Sequence, residues 1–522
     1  MKSLPPHELK ARLAGGGEIA FLDVREHGQY GEGHPFLAVP APYSRLEAVV
    51  PRLVPRRETP VVLLDDGDGV AEKAAQRLAA LGYSDIAILQ GGATGWAAAG
   101  YTLFKGVNVP SKAFGEMVEQ ARHTPCITAP ELKAMQDRGE APVILDGRPV
   151  AEYSRMNIPG GVCCPNAELG HRLPALAPDE RTPIVVNCAG RTRSIMGAQS
   201  LIELGVRNPV MALENGTQGW LLAGFELERG AARLYPADLP DDMRAASRAK
   251  AAAFIQAQGI PAVDAPTLQD WRTDGQRTVY LFDVRTAEEF RRNRYPGAVH
   301  APGGQLVQAT DSWVGVRNAR IVLCDDTGLR AAITAHWLRQ MGHDACVLDY
   351  DVTLPVADQP IEEIGLVDDV LPRIDAAALR AMLADGAVAL LDLNGSADYR
   401  RRHIDGARWA IRPRLERLGL APDRPVVLTA ADWAVAELAA VDLKEMGCRS
   451  IRFLAGHEAA WTAAGLRMVA TPQDPPDADC IDHLFFVHDR HAGNLDACRQ
   501  YLAWETGLLD QMDEQERGVF RI

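Results

Sequence analysis

Long apolar runs are missing from this chain of 522 residues: no stretch approaches the roughly 18 apolar residues that a membrane-crossing helix needs. The opening residues Met1–Glu8 carry no apolar signal core, so a cytoplasmic location is expected. Cysteine is scarce. Nine in the whole chain are too few for a disulfide scaffold, and an odd number leaves at least one thiol unpaired. Positive charge is in deficit, with 55 Lys and Arg against 69 Asp and Glu. The net charge of -14 argues against a nucleic-acid binder, and it obliges any anionic ligand to find a local positive pocket. What is present is ordinary globular material: 47% apolar residues, enough for about three to five domains at this length.

The chain repeats itself. Four strands end in Asp: Phe21-Leu22-Asp23, Ile144-Leu145-Asp146, Leu281-Phe282-Asp283 and Leu390-Leu391-Asp392. Each is followed by a second apolar strand, at 61–64, 184–186, 321–323 and 426–428. The residue just past that second strand is Asp65, Cys188, Asp325 or Ala430. It lies 42 residues after the first Asp in three repeats and 38 in the fourth. Helical patterns follow and end in Gly82, Gly205, Gly342 and Gly447, where glycine permits a left-handed cap. Short apolar strands alternating with such helices predict an α/β fold of four tandem domains, each a small parallel sheet flanked by helices. The divisions read as 1–105, 106–235 (with an N-terminal linker), 236–365 (with a linker helix) and 366–470, then a short helical tail over 471–522. An acidic stretch, 354–373, separates the third and fourth repeats.

One repeat alone keeps a thiol after the second strand, in Cys188-Ala189-Gly190-Arg191-Thr192-Arg193-Ser194. The surrounding signals are an Asp-x-Arg opening with a following Glu and aromatic (Arg148, Glu152, Tyr153), a Pro-Gly step (Pro159-Gly160) and Gly216-x-x-Gly219-Trp220. Together with the Cys-x4-Arg-Ser loop, they make residues 5–470 resemble the rhodanese sulfurtransferases. The four-domain layout resembles the multidomain bacterial thiosulfate sulfurtransferases. Many loops of that family have glycine where Arg191 stands.

The resemblance implies an enzyme that moves sulfane sulfur from an anionic donor, with thiosulfate favoured, through a Cys188 persulfide to a cyanide, thiol or protein acceptor. The physical reading of the loop agrees. A thiolate is the reactive form of cysteine. Ala189, Gly190, Arg191, Thr192, Arg193 and Ser194 are expected to curl at the start of a helix near Ser194, aiming N–H groups at the sulfur and binding the donor. Arg191 and Arg193 add positive charge. Arg148 either joins the donor pocket or pairs with Glu152, and Asp146 and Glu152 are supporting residues. Four residues between Cys188 and Arg193 make a smaller cradle than the Cys-x5-Arg loop of phosphatases. No cofactor or metal is expected. A homodimer is compatible with the sequence, and neither nucleic acid nor membrane is an expected partner.

The rival reading is a persulfide carrier or scaffold whose thiol-less repeats hold partners. Asp65, Asp325 and Ala430 mark those repeats as inactive, and Cys324 reads as a core thiol. Cys163 and Cys164 read as packing residues, with a resolving pair as the alternative. His171 is the nearest histidine for a Cys-His enzyme, and His34, His300 and His403 read as surface or turn residues. Cys480, His483, His488 and His491 fall at a spacing that matches no standard metal site.

Overall fold

The structure, a computed structural model, describes residues 2–349, 371–486 and 493–522. Each of the four expected repeats is an α/β layer. In the second, the parallel order is Cys126–Ile127, Val210–Leu213, Ile184–Asn187, Val143–Asp146, Val162–Cys163. The third and fourth repeats keep that order, and so do the first repeat's own strands.

Neighbouring strand residues point to opposite faces. Leu145 and Val186 enter one core with Leu169, Ala198 and Leu201, while Ile144 and Val185 enter another with Leu132, Leu213 and Trp220. Both faces are therefore apolar and both are covered by helices, as a parallel sheet requires. Each fully buried Leu or Val contributes about 1.5–3 kcal/mol.

The chain divides into two compact units. One holds residues 1–10, 20–107 and 361–486, the first and fourth repeats; the other holds 11–19, 108–360 and 487–522, the second and third repeats with the C-terminal helices. In each unit a buried arginine helps tie the two repeats together. Arg412 bonds Glu47 and Asp442 in the first, and Arg330 bonds Glu168, Glu289 and Asp326 in the second. The acidic stretch falls mostly outside the described residues. In the tail, the described helices are Leu495–Thr506, Leu508–Gln511 and Glu514–Arg517.

Candidate active site

Cys188 follows the Ile184–Asn187 strand and is 2% exposed. The following helix runs Thr192–Glu203. It begins two residues earlier than expected, so Thr192, Arg193 and Ser194 belong to its first turn, where N–H groups have no intrahelical partner. Ser194 Oγ donates to Cys188 Sγ at 3.2 Å. Among the described residues, no backbone N–H of the loop donates to that sulfur, contrary to the expected nest around it.

The loop is pinned from the opposite side. Thr217 N–H donates to Cys188 O at 2.8 Å, and Gln218 N–H and Nε2 both donate to Ala189 O. Gly216 has φ 52°, and a Cβ there would sit 2.3 Å from Cys188 O. The Gly216-x-x-Gly219-Trp220 motif is thus a backbone clasp on the residues that follow the Ile184–Asn187 strand, anchored by the buried Trp220.

The equivalent loops show what fills the cradle when sulfur is absent. Asp65 accepts from the N–H groups of Gly67 and Ala71, at 2.9 and 3.0 Å. Asp325 accepts from Thr327, Gly328 and Ala331, at 2.5, 2.6 and 2.7 Å. Ala71 and Ala331 stand six residues after their aspartates, just as Ser194 stands six after Cys188. These carboxylates are built-in anions seated on the first helical turn. In the fourth repeat, Asn394 Oδ1 takes the N–H of Ala431 at 2.7 Å.

The arginines are paired. Arg193 donates twice to Glu152, at 2.9 and 2.8 Å. Burial works to lower its pKa, but Glu152 together with the charges of Cys188 and Asp146 raises it above the ordinary value. Arg191 reaches Glu116 at 2.7 Å and also Glu119, both on the Val109–Arg122 helix. Arg148 does not pair with Glu152. Its guanidinium donates to Asp146 at 2.8 and 2.7 Å and to Met156 O at 2.6 Å. Asp146 also accepts from Asn187. Arg25 bonds Asp23 and Gly33 O, and Arg285 bonds Asp283 and Asn293 O, in the same geometry. These two repeats carry no thiol after the second strand, so the fold accounts for Arg148 without a donor-binding role.

Sequence reasoning expected the helical tail but not its landing site. Tyr501 and Glu505 of the Leu495–Thr506 helix face the loop, and Glu505 Oε1 accepts from Thr192 Oγ1 at 2.7 Å. A Cβ on Gly190 would lie 3.0 Å from Glu505 Oε2 and 3.1 Å from Tyr501 Cε1. This close approach explains a glycine at that position. The legible signal was Glu505 itself, eight residues after Ala497 and four after Tyr501 on the helix's buried stripe.

The remaining candidates lie elsewhere. Cys163 donates to Arg148 O, and burial pushes its thiol up to about 12. Burial also raises Cys164, a core residue, and Cys324, which is 1% exposed. His171 bonds Ser247 Oγ, not Cys188. His34 and His403 are buried and not at the surface; each stacks on a tyrosine and bonds its carbonyl, while His300 is half-buried. Among the described residues no group of three His, Cys, Asp or Glu could hold a metal. Cys480 Sγ reaches the carbonyls of Pro475 and Pro476, and His488 and His491 lie outside the described residues. No helix of the described residues is long and apolar enough to cross a membrane.

Comparison with known proteins agrees with the repeat pattern. The profile of the rhodanese-like domain matches residues 5–99, 128–223, 264–353 and 375–464. A crystal structure of thiosulfate sulfurtransferase from Pseudomonas aeruginosa superposes with a TM-score of 0.92, at 42% identity, covering 100% of both chains. An HTH-type transcriptional regulator of Mycobacterium tuberculosis is 34% identical over 105 residues, which is 20% of this chain. That match spans 45% of the regulator's own length.

Proposed function

Since the chain belongs to the rhodanese family, we propose that it is a sulfurtransferase acting through a persulfide on Cys188. The observation that carries this reading is the contrast among equivalent loops. Two are filled by their own carboxylate, and the Cys188 loop offers a thiol with Ser194 Oγ bonded to it. The full-length relative, named a thiosulfate sulfurtransferase, makes thiosulfate the first donor to test.

The Cys188 thiolate attacks the outer sulfur of the donor. A Cys188–sulfur bond forms, the donor's S–S bond breaks, and sulfite leaves with the electron pair. Cyanide or a thiol then takes the terminal sulfur and returns the thiolate, as in covalent two-step catalysis. Ser194 Oγ donates to the sulfur anion, and Arg193 supplies the nearby positive charge while Glu152 holds it in place. A protein acceptor, a cytoplasmic setting and a homodimer belong to the same reading.

The test is sulfur transfer from thiosulfate to cyanide, wild type against Cys188→Ser, with intact mass measured after donor alone. One added sulfur and turnover in wild type only are expected. An adduct without turnover would replace the enzyme reading with a persulfide carrier. Turnover that survives in Cys188→Ser would sink the assignment of the nucleophile.

A further inference from the structure

The surroundings of Cys188 hold more negative than positive charge. Arg191 is matched by Glu116 and Glu119, and Arg193 by Glu152. Lys112 adds a third cation, its Nζ 4.7 Å from the Trp504 ring and 5.4 Å from that of Tyr501. Glu505 is then a fourth carboxylate, carried to the loop by the tail and 1% exposed. Its Oε1 takes the Thr192 hydroxyl. Its Oε2 is buried with no hydrogen-bond partner, beside Gly190. An ionised carboxylate only accepts hydrogen bonds, and a buried acceptor left unpaired is costly. The place beside Oε2 therefore suits a ligand that brings a hydrogen.

Thiosulfate brings none. It is a dianion made of acceptors, and its leaving group, sulfite, carries charge past Glu505. A persulfide, R–S–SH, brings an S–H donor and at most one charge at the reacting end. We infer that Glu505 is a specificity-determining residue that tunes the Cys188 site toward small organic persulfides and against dianionic thiosulfate. The inference rests on the sulfur-transfer reading above and refines its donor. The step balances. The Cys188 thiolate attacks the outer sulfur, a new S–S bond forms, and the donor's S–S bond breaks with its electron pair going to R–S. The proton of the former S–H passes to that thiolate, leaving R–SH and the Cys188 persulfide anion. Glu505 Oε2 accepts the S–H as the donor arrives and so orients the outer sulfur.

The experiment measures kcat/KM for thiosulfate and for an alkyl persulfide generated in situ, both with cyanide as acceptor, on the full chain. Glu505→Gln keeps the shape and removes the charge. It is expected to shift the ratio of the two values toward thiosulfate by about tenfold, the scale of one charge in a partly desolvated site. Glu505→Asp keeps the charge and is expected to hold the wild-type preference better than Gln. Product inhibition of the unaltered protein gives a readout that needs no variant: the thiol R–SH should inhibit at lower concentration than sulfite. A ratio within twofold of wild type in Glu505→Gln, or sulfite inhibiting at lower concentration than the thiol, would overturn the assignment. If Cys188→Ser is dead and the ratio does not move, only the role of Glu505 falls. If Cys188→Ser still turns over, the function itself falls.

Discussion

At the position of Cys188, two other repeats carry an aspartate, and that side chain meets the same kind of backbone that surrounds the sulfur. Asp65 and Asp325 take backbone N–H groups of the turn that follows, and under the proposed function this would leave an anionic donor without those partners there. The Asp-x-Arg pair belongs to a different class of residue. It recurs at Asp23–Arg25, Asp146–Arg148 and Asp283–Arg285 whether or not a thiol is near. Removing one partner of a buried ion pair leaves the other uncompensated, at about 3–5 kcal/mol. Arg148→Ala is therefore expected to destabilise the unit holding Cys188 by about 3–5 kcal/mol, read as a lowered urea midpoint at unchanged slope. The same variant should keep its donor KM wherever folded protein remains. A normal midpoint with a raised KM would return Arg148 to the donor pocket.

At the scale of elements, the tail is a cover built from three helices. Tyr501 and Glu505 meet the loop, and buried Leu508, Leu509, Met512 and Phe520 hold the rest down. Phe520 packs 5.3 Å from Phe114, and Arg521 N–H donates to Gln340 O at 2.7 Å. Ending the chain at Gly507 strips these anchors, each worth about 1.5–3 kcal/mol as an upper bound. The Leu495–Thr506 helix should then loosen and Cys188 should react faster with an aryl disulfide, with Cys188→Ser subtracted to remove the exposed Cys126. An unchanged rate would mean that this helix holds its place without the anchors. The repeats' strands and helices were legible because alternation and helical spacing write them locally. The tail's helices were legible for the same reason, but their landing site was not, since a single apolar stripe does not name the surface it covers.

For the molecule as a whole, the pairing of first with fourth repeat and second with third sets the acid response. In the second unit, His171 lies below its ordinary value because it is buried and next to Arg330 and Arg172. Burial alone would raise Glu289, yet Arg330 and the Thr286 hydrogen bonds hold it at about 2. Both groups are depressed, so both contribute stability that is present above their unfolded values and is lost as pH falls through them. The loss begins near pH 6.5 for His171 and near pH 4.5 for Glu289. The urea midpoint of this unit should fall across that window, and His171→Gln should flatten the upper part of it. A slope between pH 6.5 and 4.5 that persists in the variant would assign that loss to another group.

The amino-acid sequence by itself determined the four α/β repeats, their parallel sheets and the one thiol placed just past a second strand, because periodicity and spacing act over a few dozen residues. It also singled out Arg191 and Arg193, but as free cations. Tertiary structure decided that Glu116, Glu119 and Glu152 neutralise them, that Arg148 serves Asp146, and that Glu505 lies beside Gly190. Glu505 stands 317 positions after Cys188 in the chain. Such contacts follow from which apolar faces bury one another, and that choice is made by the whole fold and not by any local pattern.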